Sequence, residues 1–228
     1  MTVIAERRGM MPLLSGENAG VVWLIALIAI VSLFGCTRKL ETRYDSGKLK
    51  EKYAVRKDAQ GKYVKDGEYV SWYESGKKQE EGTYKNNKRE GTCSSWYENG
   101  NRKEEGTFRN GEKEGVHINW YENGQKKSEC AFKANQKNGL CAEWLENGQK
   151  VWEGGFTEGK NTGKWVYWHK NGDKYFEGEY ENGRETGKWI YWYRNGQKQA
   201  EGEFKEGKKI GAWTYWDEMG NIIKKPTV

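Results

Sequence analysis

Two sets of residues have the types and spacing to do chemistry. The first is Cys93, His117, Cys130 and Cys141, of which Cys93, His117 and Cys141 fall 24 residues apart. Thiolates and imidazoles bind zinc, at ligand distances of about 2.0–2.3 Å; two of the thiols could instead join as a disulfide. The second set is a pair of columns with the same period. Trp72, Trp96, Trp120, Trp144, Trp168, Trp192 and Trp216 form one, and Glu81, Glu105, Glu129, Glu153, Glu177 and Glu201 the other. Indoles offer flat apolar surface and carboxylates accept hydrogen bonds, so a ladder of both reads as a groove for an extended ligand.

Catalytic constellations are missing from this sequence. His117 and His169 are its only histidines, and both replace aromatic residues in their columns, so no set of nucleophile, base and orienting group forms. No phosphate-cradling glycine loop follows a strand and opens a helix. Paired carboxylates occur only as repeated columns, which leaves no single pair for glycosidase chemistry. The chain is therefore read as a non-enzyme with no metal and no cofactor.

What positions the columns is a repeat. Four residues beyond each tryptophan stands a glycine: Gly76, Gly100, Gly124, Gly148, Gly172, Gly196 and Gly220. Asn99, Asn123, Asn147, Asn171 and Asn195 precede five of them. Asn-Gly between aromatic segments signals a hairpin, since a type I′ turn needs positive φ at both central positions. A second turn recurs half a period on, at Asn86-Asn87, Asn110-Gly111, Glu158-Gly159, Asn182-Gly183 and Glu206-Gly207. Two turns per period mean two strands per unit, whereas a helix would have to carry glycine every few positions. The expected fold is all-β: an elongated single-sheet antiparallel meander of about fourteen strands, two for each hairpin unit, behind an apolar N-terminal signal or anchor helix.

The stretch GKWVYWHKNGDKYFEGEYENGRETGKWIYWYRNGQKQAEGEF resembles the MORN repeat, in the bacterial variant found in proteins often labelled a YwqK-type antitoxin family. The resemblance runs from Gly67 to Gly220, with a degenerate first unit at Tyr44-Asp45-Ser46-Gly47-Lys48 offset by an insertion around Val55 to Tyr63. It implies a single elongated sheet of successive hairpins. Its motifs are specific to the fold and not to a function.

With a two-residue Asn-Gly loop, each repeat tryptophan pairs with the residue seven on, the residue before it with the eighth, and the third before it with the tenth. A three-residue loop would exchange the faces. In that register Trp165 faces Gly178 and Trp189 faces Gly202, each indole covering the strand glycine opposite. Tyr167, Phe176, Phe156, Tyr180 and Phe204 continue this packed face. Cys93, His117 and Cys141 take the slot of Trp165, Trp189 and Trp213, and Cys130 replaces the covered glycine. Units about 9.6 Å apart, two strands at about 4.8 Å each, bring at most two of these four side chains to one ion. Which cysteines pair is left open, and one of the three must stay odd.

The opposite face carries the Trp and Glu columns, and each has a structural account beside the ligand groove. Indoles can pack against neighbouring units, and glutamates can pair with lysines across strands for about 0.2–1 kcal/mol. The basic column Lys78, Arg102, Lys126, Lys150, Lys174 and Lys198 reads as stems lying over tyrosines with their charges in water.

Val21 to Phe34, VVWLIALIAIVSLF, is an apolar run after Arg7 and Arg8 and before Gly35-Cys36. It is short for a bilayer span, which takes about 20 residues, and fits the apolar core of a secretory signal. Leu33-Phe34-Gly35-Cys36 resembles a bacterial lipobox, which implies cleavage before Cys36 and its acylation; an uncleaved anchor helix is the alternative. The organisation expected is a signal peptide with lipobox over 1–36, a tether with the degenerate first repeat over 37–66, and a repeat domain over 67–228 ending in a truncated hairpin. Either N-terminal reading places the repeats outside the cytoplasm, on a membrane of the bacterial cell envelope.

Composition agrees with a repeat built on few large side chains: 35% of residues are hydrophobic while 14% are aromatic. The net charge is +6, but lysine and glutamate interleave residue by residue, which excludes a continuous phosphate-tracking stripe and with it nucleic acid. Lys224, Lys225 and Pro226 discourage pairing at the C-terminal edge. The function expected is an envelope-anchored scaffold for a protein partner. A glycan or peptidoglycan binder using the Trp column is the alternative, and an antitoxin-like protein of the family label a second.

Overall fold

The computed structural model describes residues 37–224. Cys36, the apolar run before it, Lys225 and Pro226 lie outside those residues, and with them the signal and lipidation readings. No helix occurs among the described residues; sixteen strands form one antiparallel sheet in sequence order. They are β1 (Arg38–Arg43), β2 (Leu49–Lys57), β3 (Tyr63–Trp72), β4 (Lys78–Lys85), β5 (Lys88–Trp96), β6 (Arg102–Arg109), β7 (Glu112–Trp120) and β8 (Lys126–Lys133). There follow β9 (Gln136–Trp144), β10 (Lys150–Thr157), β11 (Lys160–Trp168), β12 (Lys174–Glu181), β13 (Arg184–Trp192), β14 (Lys198–Lys205), β15 (Lys208–Trp216) and β16 (Ile222–Ile223). The count exceeds fourteen because the degenerate first unit is a full hairpin: its turn is closed by Tyr44 N–H to the Lys48 carbonyl at 2.9 Å and Gly47 N–H to that of Tyr44 at 2.8 Å.

The Asn-Gly turn of each unit is not of the type expected from the sequence. After Trp96, Gly100 N–H donates to the Tyr97 carbonyl at 2.9 Å and Tyr97 N–H to that of Asn101 at 2.8 Å. Gly100 has φ of +100°, and Asn99 is not among the residues with positive φ. This is a three-residue loop, a type I turn followed by a left-handed glycine, and not the two-residue type I′ loop. Type I′ geometry sits at the other turn, with φ of 53° and 83° at Asn110 and Gly111 and 50° and 76° at Glu158 and Gly159. Ala134 and Asn135 make the same turn at 47° and 64°, which the sequence does not announce, because alanine has no side chain that favours positive φ. The second residue of each such turn is held by the first strand of its own unit: Gly159 N–H donates to the Lys137 carbonyl at 2.9 Å.

A three-residue loop should have exchanged the faces, yet they stand as expected. Trp168 pairs with Lys174, six residues on, while Tyr167 pairs with Phe176, leaving Tyr175 as a one-residue bulge. The bulge cancels the extra loop residue, so Trp165 faces Gly178 and Trp189 faces Gly202. Only the tryptophan's own partner moves, from the seventh residue on to the sixth.

One row crosses the strands and forms the core. Tyr69, Cys93, His117, Cys141, Trp165, Trp189 and Trp213 alternate along it with Gly82, Gly106, Cys130, Gly154, Gly178 and Gly202. The glycine that an indole covers is the one on the strand before it, not the one after as expected: a Cβ on Gly154 would run into the Trp165 ring, on Gly178 into Trp189, and on Gly202 into Trp213. For Trp165 and Trp213 the ring nitrogen gives the reason. Trp165 Nε1 donates to the Gly155 carbonyl at 3.1 Å and Trp213 Nε1 to that of Glu203 at 3.3 Å, both on the preceding strand. A buried indole N–H needs such a partner. His117 stands in for an indole: it lies over Gly106, and its Nε2 meets the Thr107 carbonyl at 2.8 Å. Cys130 and Cys141 occupy the same pair of slots as Gly154 and Trp165 and are joined as a disulfide, leaving Cys93 free and buried. Trp165 and Trp189 are each 2% exposed and His117 1%, and burial pushes the Tyr180 and Tyr191 hydroxyls up to about 12.

Candidate functional site

The Trp and Glu columns lie on the face opposite this row, and the seven tryptophans are all half-buried. Six carry a cation from the preceding unit. Lys78 Nζ stands 5.2 Å from the Trp96 ring centre, Lys126 5.2 Å from Trp144, Lys150 5.4 Å from Trp168, Lys174 5.5 Å from Trp192 and Lys198 5.6 Å from Trp216. Arg102 holds the same place over Trp120. The basic column thus covers indoles, not tyrosines as expected; the tyrosines take the bulge residues instead, Lys103 over Tyr97 and Lys127 over Tyr121, each at 5.5 Å.

The glutamates pair chiefly within their own strand and not across strands. Lys78 meets Glu81 at 2.5 Å, Lys126 Glu129 at 2.5 Å, Lys150 Glu153 at 2.6 Å, Lys174 Glu177 at 2.8 Å and Lys198 Glu201 at 2.9 Å, with Arg102 and Glu105 likewise paired. The bulge makes this possible, because it puts residues three apart on one face of a strand. Each pair is partly exposed and stabilises by about 0–1 kcal/mol. The turn glycines Gly76, Gly100, Gly124, Gly148, Gly172, Gly196 and Gly220 all have φ between 81° and 100°; their part is to close the hairpins.

A tyrosine column directly after the tryptophans also ties the units together. Tyr73 donates its hydroxyl hydrogen to the Trp96 carbonyl at 2.7 Å, Tyr121 to that of Trp144 at 2.8 Å and Tyr193 to that of Trp216 at 2.9 Å. His169 Nε2 serves at 3.1 Å from the Trp192 carbonyl. Its signal in the sequence is the Trp-Tyr dipeptide at fixed period, which Leu145 interrupts.

The face is not uniform along the sheet. Towards the C-terminus each glutamate has a second lysine from across the strand: Lys164 with Glu177 at 3.3 Å and Lys188 with Glu201 at 3.5 Å. The hydrogen bonds from Lys174 and Lys198 are the main cause holding these two carboxyls below the ordinary carboxylate value. In the middle of the sheet the corresponding residues are Val116, 52% exposed, and Leu140, 80% exposed. Leu140 opens onto a groove of about 610 Å³ floored by Ala142 and Val166 and flanked by Trp144, Trp168, Glu129 and Glu153, with Lys164 and Lys174, both paired to Glu177, on its C-terminal side.

Among the described residues no group of three or more histidine, cysteine and acidic side chains is placed to hold a metal ion. The disulfide consumes two of the four candidate ligands, and burial pushes the Cys93 thiol up, away from the reactive thiolate. His117 and His169 each have Nε2 committed to a main-chain carbonyl, and neither lines the groove.

Fold and face together define a repeat protein made of one sheet of stacked hairpins. The family model described as MORN repeat variant matches residues 65–86, 89–110, 113–134 and 185–206, and those four units are MORN repeat variants. Each match ends in a type I′ turn, so a family unit is the strand pair β3–β4, β5–β6, β7–β8 or β13–β14. No curated protein matches the chain. Among solved structures, a chain from Bacteroides fragilis NCTC 9343, described as a protein with unknown function, is 9% identical at a TM-score of 0.17, over 85% of this chain and 91% of that one.

Proposed function

We propose that this chain is an exported, envelope-tethered binding module whose Trp and Glu face receives a protein partner, without catalysis. The observation that carries the reading is Leu140: a leucine 80% exposed at the mouth of an indole-flanked groove, on a face that is elsewhere ion-paired. Exposed apolar groups rimmed by charge mark interaction surfaces. Export is supported by the apolar run Val21–Phe34 before Gly35-Cys36 and by the Cys130–Cys141 disulfide, a bond that persists in oxidising compartments. Acylated Cys36 would hold the repeats at a membrane.

The half-exposed indoles Trp144 and Trp168 beside the groove favour a second reading, a glycan stacked along the column. The cations over those rings count against it: Lys126 and Lys150 both stand over Trp144, and Lys150 also over Trp168.

Two experiments test the proposal. The mass of the mature N-terminus, with and without an inhibitor of lipoprotein signal cleavage, is expected to show a lipid-modified Cys36; an intact Met1 in untreated cells overturns the cleaved tether. A photo-crosslinking residue at Leu140 in intact cells is expected to capture a discrete protein, and the same residue at Lys188 is not. Absent capture at Leu140 overturns the binding face, and equal capture at Lys188 overturns its centring on Leu140.

A further inference from the structure

The register shows what is special about the middle of the open face. In β11 and β12, Lys164 lies opposite Glu179 and bridges diagonally to Glu177; in β13 and β14, Lys188 lies opposite Glu203 and bridges to Glu201. The same two positions hold Leu140 opposite Gly155 in β9 and β10, and Val116 opposite Ala131 in β7 and β8. Each central unit has therefore lost one cation and one carboxylate and gained exposed apolar surface. Glu129 and Glu153 remain, each with a lysine from its own strand at 2.5 and 2.6 Å and with side chains 39% and 45% exposed. The second cation that Glu177 and Glu201 receive is missing from them, as it is from Glu81 and Glu105, so what sets the centre apart is the exposed apolar surface of Val116 and Leu140.

The central strands are paired on both sides along their length, so a partner cannot join as an added strand. It has to lie on the face and bind through side chains. Crossing the strands, it meets one unit about every 9.6 Å, two strand spacings of about 4.8 Å. A polyproline II segment makes one turn in three residues of about 3.1 Å each, about 9.3 Å per turn, and presents every third side chain on one side. Its backbone needs no ladder partner, and its apolar residues can cover Leu140 and Val116 without stacking on the indole faces that the lysines occupy.

We propose that the groove between Trp144 and Trp168, together with the exposed Val116 one unit away, binds a polyproline II segment of a protein partner carrying lysine or arginine at every third residue. The basic heads go to Glu153 and Glu129, in the manner of Lys164 at Glu177, and the apolar residues between them cover Leu140 and Val116. This rests on the face being a binding surface and names the class of ligand for it.

The test is calorimetric titration of the full chain with three probes: a peptide of repeated Pro-Pro-Lys triplets, its Pro-Pro-Glu counterpart, and an N-acetylglucosamine oligosaccharide. Saturable binding of the lysine peptide alone is expected. Leu140→Lys supplies the missing cation from within and should weaken that binding about tenfold or more, as should Glu153→Gln, while Glu203→Gln should leave it unchanged. Leu140 is on the surface, so thermal unfolding of Leu140→Lys is expected to match or exceed the parent and serves as the folding control. Equal binding of the acidic peptide, no binding of the basic one, or binding indifferent to Leu140→Lys overturns the proposal. If crosslinking at Leu140 still captures a protein, the binding face stands and the ligand class alone falls; if the oligosaccharide binds and Leu140→Lys abolishes it, the occupant is a glycan.

Discussion

The phenol of Tyr97 donates its hydrogen to the main-chain carbonyl of Trp120, one unit further along the sheet, across 2.8 Å. The bond satisfies a carbonyl where β7 ends and fastens one hairpin tip to the next. Removing the hydroxyl by Tyr97→Phe leaves that carbonyl without its donor. A net hydrogen bond of this kind contributes about 0.5–1.5 kcal/mol, and urea unfolding should show a loss of that size. Leu145 holds the same position where the tie is broken, so Leu145→Tyr should gain a similar amount.

The glycines of the core row have no room for a side chain. A Cβ at Gly178 would overlap the Trp189 ring, and Trp189 is 2% exposed and hydrogen-bonded at Nε1. Gly178→Ala should destabilise by about 1–3 kcal/mol, the usual cost of overfilling a packed core, and tryptophan near-ultraviolet dichroism should weaken with it. Unchanged stability would mean that the indole does not lie on this glycine.

His117 makes the fold sensitive to mild acid. Burial is the main cause holding its imidazole below its ordinary value of 6.5, with Lys113 pushing the same way and Glu104 opposing. Its Nδ1 is buried with no hydrogen-bond partner, so the neutral ring is the form the core accepts. Because the folded value is the lower one, the unfolded chain takes up the proton first. Stability from this group is complete above about 6.5 and is lost as pH falls from there towards the folded value. Unfolding free energies between pH 7.5 and 5 should show the decline. His117→Trp, which restores the indole of later units, should remove that part of it. The paired carboxyls of Glu177 and Glu201 are held below 4.5 and titrate under this window.

The disulfide replaces a packing contact. Cys130 sits where other units have glycine and Cys141 where they have an indole, 11 residues apart in sequence. Reduction should cost about 2–4 kcal/mol, the usual value for a crosslink closing a loop of this order. The double substitution Cys130→Gly with Cys141→Trp rebuilds the pair seen at Gly154 and Trp165, and its unfolding should no longer respond to reductant. A double variant that fails to fold would show that the central unit is not interchangeable with its neighbours.

Much of the fold was legible because the period is fixed. Seven tryptophans with seven glycines four residues on set two turns per unit, and parity then placed Trp165 opposite Gly178. The turn type was not legible, since Asn-Gly serves both a type I′ turn and the last two positions of a type I turn with a left-handed glycine. The faces came out as expected only because the bulge at Tyr175 cancels the extra loop residue. Which glycine an indole covers was hidden as well: Trp165 has Gly154 on one side and Gly178 on the other, and the reach of Nε1 to the Gly155 carbonyl decides between them. The candidate site lay in departures from the repeat and not in the repeat itself. Glu68, Thr92, Val116, Leu140, Lys164, Lys188 and Ala212 share one column, and only the bridges made by Lys164 and Lys188 reveal what Val116 and Leu140 lack.

The account turns on a sheet with one sealed face and one open face, and hydroxyl-radical footprinting read by mass spectrometry tests this residue by residue. Trp165 and Trp189 should resist oxidation in the folded protein, while Trp144, Trp168 and Leu140 are modified. Oxidation of Trp165 and Trp189 with protection of the other three would contradict the assignment of the faces and the binding surface with it.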